Sequence, residues 1–148
     1  MKRITWFNLV ETAAGHYSPM VTLTLGLNGQ TSQKFDFLVD SGASRSLMPR
    51  RHVSRLLQGQ LVPPETDTAL QDASGKRLQG VEIDLDVRVV GSNQLPIIRE
   101  RFVVGSGIRW AVLGTTWFEK MGVHFRNFPH TPQGRRFALY AGPDPLDS

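Results

Sequence analysis

Phe35-Asp36-Phe37-Leu38-Val39-Asp40-Ser41-Gly42-Ala43-Ser44 is the stretch from which the rest of the chain is read. Apolar side chains at Phe37, Leu38 and Val39 follow one another without alternation, the pattern of a strand buried on both faces. Asp40 is thereby delivered to the end of a buried strand, where an ionised carboxylate is costly unless something uses it. Ser41 and Gly42 follow at once: a hydroxyl able to bond to a carboxylate or nearby backbone, and a residue that lets the chain turn sharply.

Upstream, Val21-Thr22-Leu23-Thr24-Leu25 alternates as a half-buried strand. Asn28-Gly29 gives a strong hairpin signal, so Asp40 ends the second arm of a hairpin. Ile4 to Leu9 is a first strand, and the small, polar segment Glu11 to Ser18 reads as loop. Downstream, Ser46 to Pro49 is short and extended. Pro49 stands at a first helical position, with Val53, Leu56 and Leu57 on one helix face. Gln58 to Asp67 reads as loop. Thr68 to Gln71 and Lys76 to Leu78 flank a small polar tip, Asp72-Ala73-Ser74-Gly75, with little to bury. Val81 to Val89 alternates over nine residues, turns at Gly91-Ser92-Asn93 and returns through Leu95 to Val104. Trp110 to Gly114 is another buried strand, Thr115 to Met121 a helical turn, and Val123 to Arg126 with Arg136 to Tyr140 a closing hairpin. Short strands joined by turns, with two short helices, favour an all-β, small closed barrel-like fold.

The 148 residues default to one domain, 1–148, with its core at about 19–140 and a frayed tail at 141–148. Hydrophobic residues at 40% and charged ones at 20% place the chain among globular proteins. The absence of cysteine excludes a disulfide framework, a thiol nucleophile and a thiolate zinc site. The basic start Met1-Lys2-Arg3 precedes no apolar stretch long enough for a signal peptide or membrane span, so a soluble, cytoplasmic protein is expected. The net charge is +4, from 17 Lys+Arg against 13 Asp+Glu. Basic clusters fall at Arg50-Arg51 with Arg55, at Arg99 and Arg101, and at Arg135-Arg136. An acid interrupts the second, and aromatics are not interleaved along the chain, so solvated arginines are favoured over a nucleic-acid site. His16, His52, His124 and His130 share no metal-ligand spacing, and no metal or other cofactor is expected. Ser41 and Ser44 lack a His base nearby in sequence, and no glycine-rich phosphate loop is present. Trp6, Trp110 and Trp117 read as core or dimer contacts.

Phe37 to Ser44 resembles the active-site signature of retropepsin-like aspartic proteases: two apolar residues, then Asp, Thr or Ser, Gly and Ala. Asp72-Ala73-Ser74-Gly75 resembles that family's flap tip. Val112-Leu113-Gly114 resembles its second apolar-apolar-Gly motif, and Thr115 to Met121 the helix behind it. Val123-His124-Phe125 and Phe137-Ala138-Leu139 resemble the closing strands of retrotransposon-type and bacterial members. The likeness spans about Pro19 to Tyr140.

The resemblance implies an aspartic endopeptidase acting on a peptide or polyprotein. Asp40 would be catalytic, Ser41 would fix the carboxylates at a subunit contact, and Gly42 would let two loops approach closely. Ala43 and Ser44 would border the substrate, Ala73, Ser74, Gly75 and Lys76 would cover it, and Gly114 would pack against the turn. Hydrolysis by carboxylates needs two side by side sharing a proton, and the chain has one Asp-Ser-Gly, so a C2 homodimer is implied. Several retroviral members pair an acid after the Ala with an arginine after the second Gly. Ser44 and Thr115 stand there instead, and that brace is missing. The rival expectation is a retropepsin-like dimeric binding or assembly module without catalysis.

Overall fold

The computed structural model describes residues 4–27, 33–57, 62–71, 74–91 and 95–141. Asn28-Gly29, Ser92-Asn93, the Asp72-Ala73 half of the hairpin tip and the tail 142–148 lie outside them.

The chain-order elements are β1 (Ile4–Ala13), β2 (His16–Gly26), β3 (Gln33–Val39), β4 (Ser46–Pro49) and α1 (Arg50–Leu57). Then come β5 (Thr66–Gln71), β6 (Arg77–Val89), β7 (Ile98–Gly105), β8 (Val112–Leu113), α2 (Thr115–Met121), β9 (Val123–Thr131) and β10 (Gly134–Ala141). The strands hydrogen-bond in the order β5-β6-β7-β4-β8-β3-β2-β1-β10-β9. An added β6–β2 pairing closes β6, β7, β4, β8, β3 and β2 into a ring.

The alternation in the sequence explains the ring. Val21, Leu23 and Leu25 of β2, Phe35, Phe37 and Val39 of β3, and Leu85, Val87 and Val89 of β6 point inward and are almost fully buried. Pairing places Leu23 against Phe35 and Val89, and Leu25 against Val87, so one apolar period on each strand fills one core. α1 plugs an end with Val53, Leu56 and Leu57, as its spacing predicts. The interior strand β3 pairs parallel with β8, Leu38 opposite Val112 and Val39 opposite Leu113.

A second layer is built by β1. Its first half pairs with β10, from Ile4 opposite Tyr140 to Asn8 opposite Arg136, and its second half with β2, from Leu9 opposite Pro19 to Ala13 opposite His16. Phe7 stacks on Phe137 at 5.2 Å, and Phe125 of β9 stacks on Phe118 of α2 at 5.5 Å.

Four expectations are corrected. Glu11 to Ser18 is not loop: it is a β-ribbon turning at Ala14-Gly15, where Gly15 adopts φ +76°. The ribbon is largely exposed on both faces, so no burial period marks it. Gln58 to Asp67 is cut short, because Thr66 and Asp67 already pair with Gly80 and Gln79. The strand expected over Trp110 to Gly114 shrinks to Val112–Leu113, and Trp110 is 72% exposed. Finally, β3 is not buried on both faces. Phe37 and Val39 face the core, whereas Leu38 is half-buried on the outer face that also carries Asp36.

Candidate active site

β8 holds β3 up to Asp40: Leu38 N–H donates to the Ala111 carbonyl (2.9 Å) and Asp40 N–H to that of Leu113 (3.0 Å). The chain then leaves the sheet. Ala43 N–H donates back to the Asp40 carbonyl at 3.2 Å, and Gly42 N–H to Asp40 Oδ1 at 2.9 Å. A methyl at Gly42 would sit 3.1 Å from that same oxygen, so the small residue leaves the carboxylate uncrowded. Oδ2 has no hydrogen-bond partner among the described residues.

The turn is seated on the N-terminus of α2. Thr115 N–H donates to the Ala43 carbonyl (2.8 Å), and its hydroxyl is shared between the carbonyls of Ala43 (3.0 Å) and Ser41 (3.2 Å). Gly114 makes the contact possible. A Cβ there would fall 2.4 Å from the Arg45 carbonyl oxygen and 2.7 Å from that of Ala43, distances no side chain tolerates. Gly114 N–H donates to Ser46 Oγ (3.1 Å), and Ser46 Oγ donates to Glu100 Oε2 (2.9 Å).

Glu100 is 1% exposed and has four donors around it. Ser46 and Thr116 hydroxyls serve Oε2, while Lys120 Nζ (2.9 Å) and Arg101 N–H (3.1 Å) serve Oε1. A buried carboxylate is tolerated when its oxygens are satisfied in this way.

Ser41 and Ser44 are exposed and Ala43 is half-buried beside Asp40. Ser41 Oγ has no hydrogen-bond partner among the described residues. Ser74, Gly75 and Lys76 are exposed at the tip of the β5–β6 hairpin, with Gly75 at φ +84°; Ala73 lies outside the described residues. The hairpin's base, not this tip, shares a cavity of about 370 Å³ with Arg45 of the loop that follows Asp40. Arg45 pairs with Glu82 of β6 at 2.7 Å, and Arg101 reaches both Glu82 (3.9 Å) and Asp84 (2.9 Å). The hydrogen bond from Arg101 holds the Asp84 carboxyl below its ordinary range.

The arrangement is a carboxylate with spare acceptor capacity, on a turn braced from behind, in a closed ring of strands. The EIAV protease in complex with the inhibitor HBY-793 superimposes with a TM-score of 0.54 and 18% identity, over 71% of this chain and 88% of that one. A retropepsin-like aspartic protease from Rickettsia conorii superimposes with a TM-score of 0.56 and 18% identity, over 95% of this chain and 93% of that one. The chain has the retropepsin-like fold. No protein-family model matches the sequence, and no curated protein does.

Within the retropepsin-like fold, two features escaped the sequence. The brace that Ser44 and Thr115 cannot form as an ion pair is replaced by Thr115, whose hydroxyl and N–H both hold the turn's carbonyls. Behind it stands Glu100, which in the sequence is only the acid separating Arg99 from Arg101. Trp117 is fully buried as expected of a core residue, but Trp6 (41%) and Trp110 (72%) are exposed. No helix of the described residues is long and apolar enough to cross a membrane.

Proposed function

We propose that the chain is an aspartic endopeptidase whose active site forms when two copies each contribute Asp40. The observation that carries this reading is the Asp40 turn itself. One carboxylate oxygen is steadied by Gly42 N–H, the other is free among the described residues, and the supporting layer of Gly114 and Thr115 is already in place. The other described aspartates are engaged elsewhere or lie on other strands. Asp36 accepts the Thr22 hydroxyl at 2.7 Å, Asp67 is bonded to Gln79, and Asp84 is paired with Arg101. A second carboxylate therefore comes from a second chain, most simply across a two-fold axis.

In the pair, the ionised carboxylate takes a proton from the attacking water as its oxygen bonds to the peptide carbonyl carbon. The protonated partner donates to the carbonyl oxygen. Collapse of the resulting diol breaks the C–N bond as a proton passes to the leaving nitrogen. Ser41, whose exposed hydroxyl has no partner among the described residues, is suited to bond across the subunit contact, and Gly42 to let the two turns meet. Ala43 and Ser44 border the cleft, and the described part of the hairpin tip, Ser74 to Lys76, closes over substrate and excludes water.

The test is to purify the chain, measure its association by sedimentation, and assay cleavage of a diverse peptide library at acidic and neutral pH. The wild type is expected to be a dimer that cleaves, and Asp40→Asn a folded dimer that does not. Cleavage that survives Asp40→Asn, or a strictly monomeric active protein, overturns the mechanism. A dimer that cleaves no member of the library favours a non-catalytic binding module.

A further inference from the structure

The outer face of β3 carries Asp36 and the half-buried Leu38, and the strand ends at Val39, one residue before Asp40. Met20 of β2 stands directly opposite Leu38, and Ala111 binds the Leu38 backbone from the other side. Together with Trp110 they line a cavity of about 410 Å³, well within the range of small-ligand sites. Its lining is largely apolar, and Trp110 stands over it 72% exposed. An indole left in water at the rim of an apolar hollow supplies a large, rigid contact surface.

The charge of the rim is equally informative. Arg45, Arg50 and Arg101 each pair with a carboxylate. Arg51 and Arg109, which line this cavity, have no hydrogen-bond or ion-pair partner among the described residues. The lining holds one carboxylate, Asp36, already bonded to the Thr22 hydroxyl. His52, at the inner wall, is held toward its neutral form by burial and by the neighbouring Arg51 and Arg55. Two guanidinium groups against one carboxylate leave the hollow positive.

We propose that this cavity is the site that reads the substrate, accepting a peptide segment in which an aromatic or long apolar residue adjoins an Asp or Glu. The apolar side chain fills the space between Met20, Leu38 and Trp110. The adjoining carboxylate accepts hydrogen bonds from Arg51 and Arg109, whose planar donor forks match its two oxygens. Leu38, two residues before Asp40 in the chain, is part of the cavity wall, so a segment held there would run on toward the Asp40 turn. In that respect the inference rests on the protease reading, although the binding itself does not.

The probes are blocked octapeptides with a central Leu-Phe-Glu, Leu-Phe-Gln or Leu-Phe-Lys, titrated into the full-length Asp40→Asn protein while tryptophan fluorescence is followed. The Glu peptide is expected to bind about tenfold more tightly than the Gln peptide, and the preference to shrink as salt is raised. Arg51→Ala with Arg109→Ala should erase that preference, and Arg51→Glu with Arg109→Glu should reverse it toward the Lys peptide. Trp110→Ala should weaken all three peptides and remove most of the fluorescence response. Equal affinity for the Glu and Lys peptides, a preference that survives loss of both arginines, or no binding of the Glu peptide overturns the proposal. So does a dimer that Trp110→Ala converts to monomer, since the cavity is then covered by the second copy. Wild-type cleavage of a library separates the two readings. Cleavage without acidic preference sinks the subsite and keeps the protease; Glu-selective binding without any cleavage does the opposite.

Discussion

Two carboxylates lie on either side of Gly114, and their surroundings are opposite. Glu100 is 1% exposed and meets four donors, from Ser46, Thr116, Lys120 and the Arg101 backbone. Asp40 is half-buried at a turn and meets one, from Gly42. Every partner of Glu100 donates, so an acceptor-only group fits and its capacity is spent on holding β4, β7 and α2 together. Asp40 keeps its capacity. The difference separates a carboxylate committed to structure from one with acceptor capacity to spare. Two hydrogen bonds through Ser46 link Glu100 to Gly114, the glycine against which the loop after Asp40 packs.

The strongest way to break this comparison is to remove each group in turn. Glu100→Ala leaves the Ser46 and Thr116 hydroxyls and the Arg101 N–H without their acceptor, while Lys120, 47% exposed, keeps the Arg99 carbonyl and water. The change should cost about 3 kcal/mol of unfolding free energy by urea titration. Asp40→Asn keeps an acceptor for Gly42 and should change stability by under about 1 kcal/mol, while cleavage falls about 10²-fold or more. If Asp40→Asn destabilises as much as Glu100→Ala, the division of labour is wrong.

Gly114→Ala comes next. Its methyl would collide with backbone oxygens of Arg45 and Ala43, which cannot swing aside as a flexible side chain would. Moving that backbone should cost about 1–3 kcal/mol and displace the turn that presents Asp40. Activity should therefore fall further than the stability loss explains. Near-normal turnover in a measurably destabilised Gly114→Ala protein would show that the turn does not depend on this contact.

What the sequence made legible was local. A buried apolar run ending in Asp-Ser-Gly is written in consecutive residues, and so are the alternation of β6 and the face of α1; the ring follows from them. What stayed hidden depends on distant partners. Glu100 looks like the acid between two arginines, and its role appears only when Ser46, 54 residues earlier, and Lys120, 20 residues later, close around it. Leu38 reads as core in the sequence because an apolar residue facing a cavity and one facing the core look identical there. The Glu11 to Ser18 ribbon carries no burial pattern, because neither face is covered. Trp110 was placed in a buried strand by its neighbours Ala111 to Leu113, whereas the chain reaches the sheet only at Val112.

Thr115 supports the same turn more weakly. Its hydroxyl is shared between two carbonyls that can turn to water instead, since the site is only part-buried. Thr115→Val, which keeps the shape and removes the donor, should cost about 1 kcal/mol. Thr115→Ser should restore most of that loss, and a Ser variant no better than Val would show that the methyl rather than the hydroxyl braces the turn.

The smallest expected effect lies at His52, which lines the cavity beside Leu38. Its ring lies 5.2 Å from that of Phe35, its Nδ1 is buried without a hydrogen-bond partner among the described residues, and Arg51 and Arg55 are close by. Burial, then the two arginines, push its protonation below the ordinary 6.5. The unfolded chain therefore takes up the proton first as pH falls. His52 costs nothing above about pH 6.5 and subtracts from stability progressively as pH drops below it, until the folded state also protonates. His52→Phe keeps a ring against Phe35 and removes the titration. Urea midpoints followed from pH 8 to 5 should fall more steeply for the wild type than for His52→Phe below about pH 6.5 and run parallel above it. Parallel curves throughout would mean that His52 is as free to ionise in the fold as in the unfolded chain. The cavity wall would then carry a third positive charge at acidic pH, and selection for acidic peptides should sharpen as pH falls.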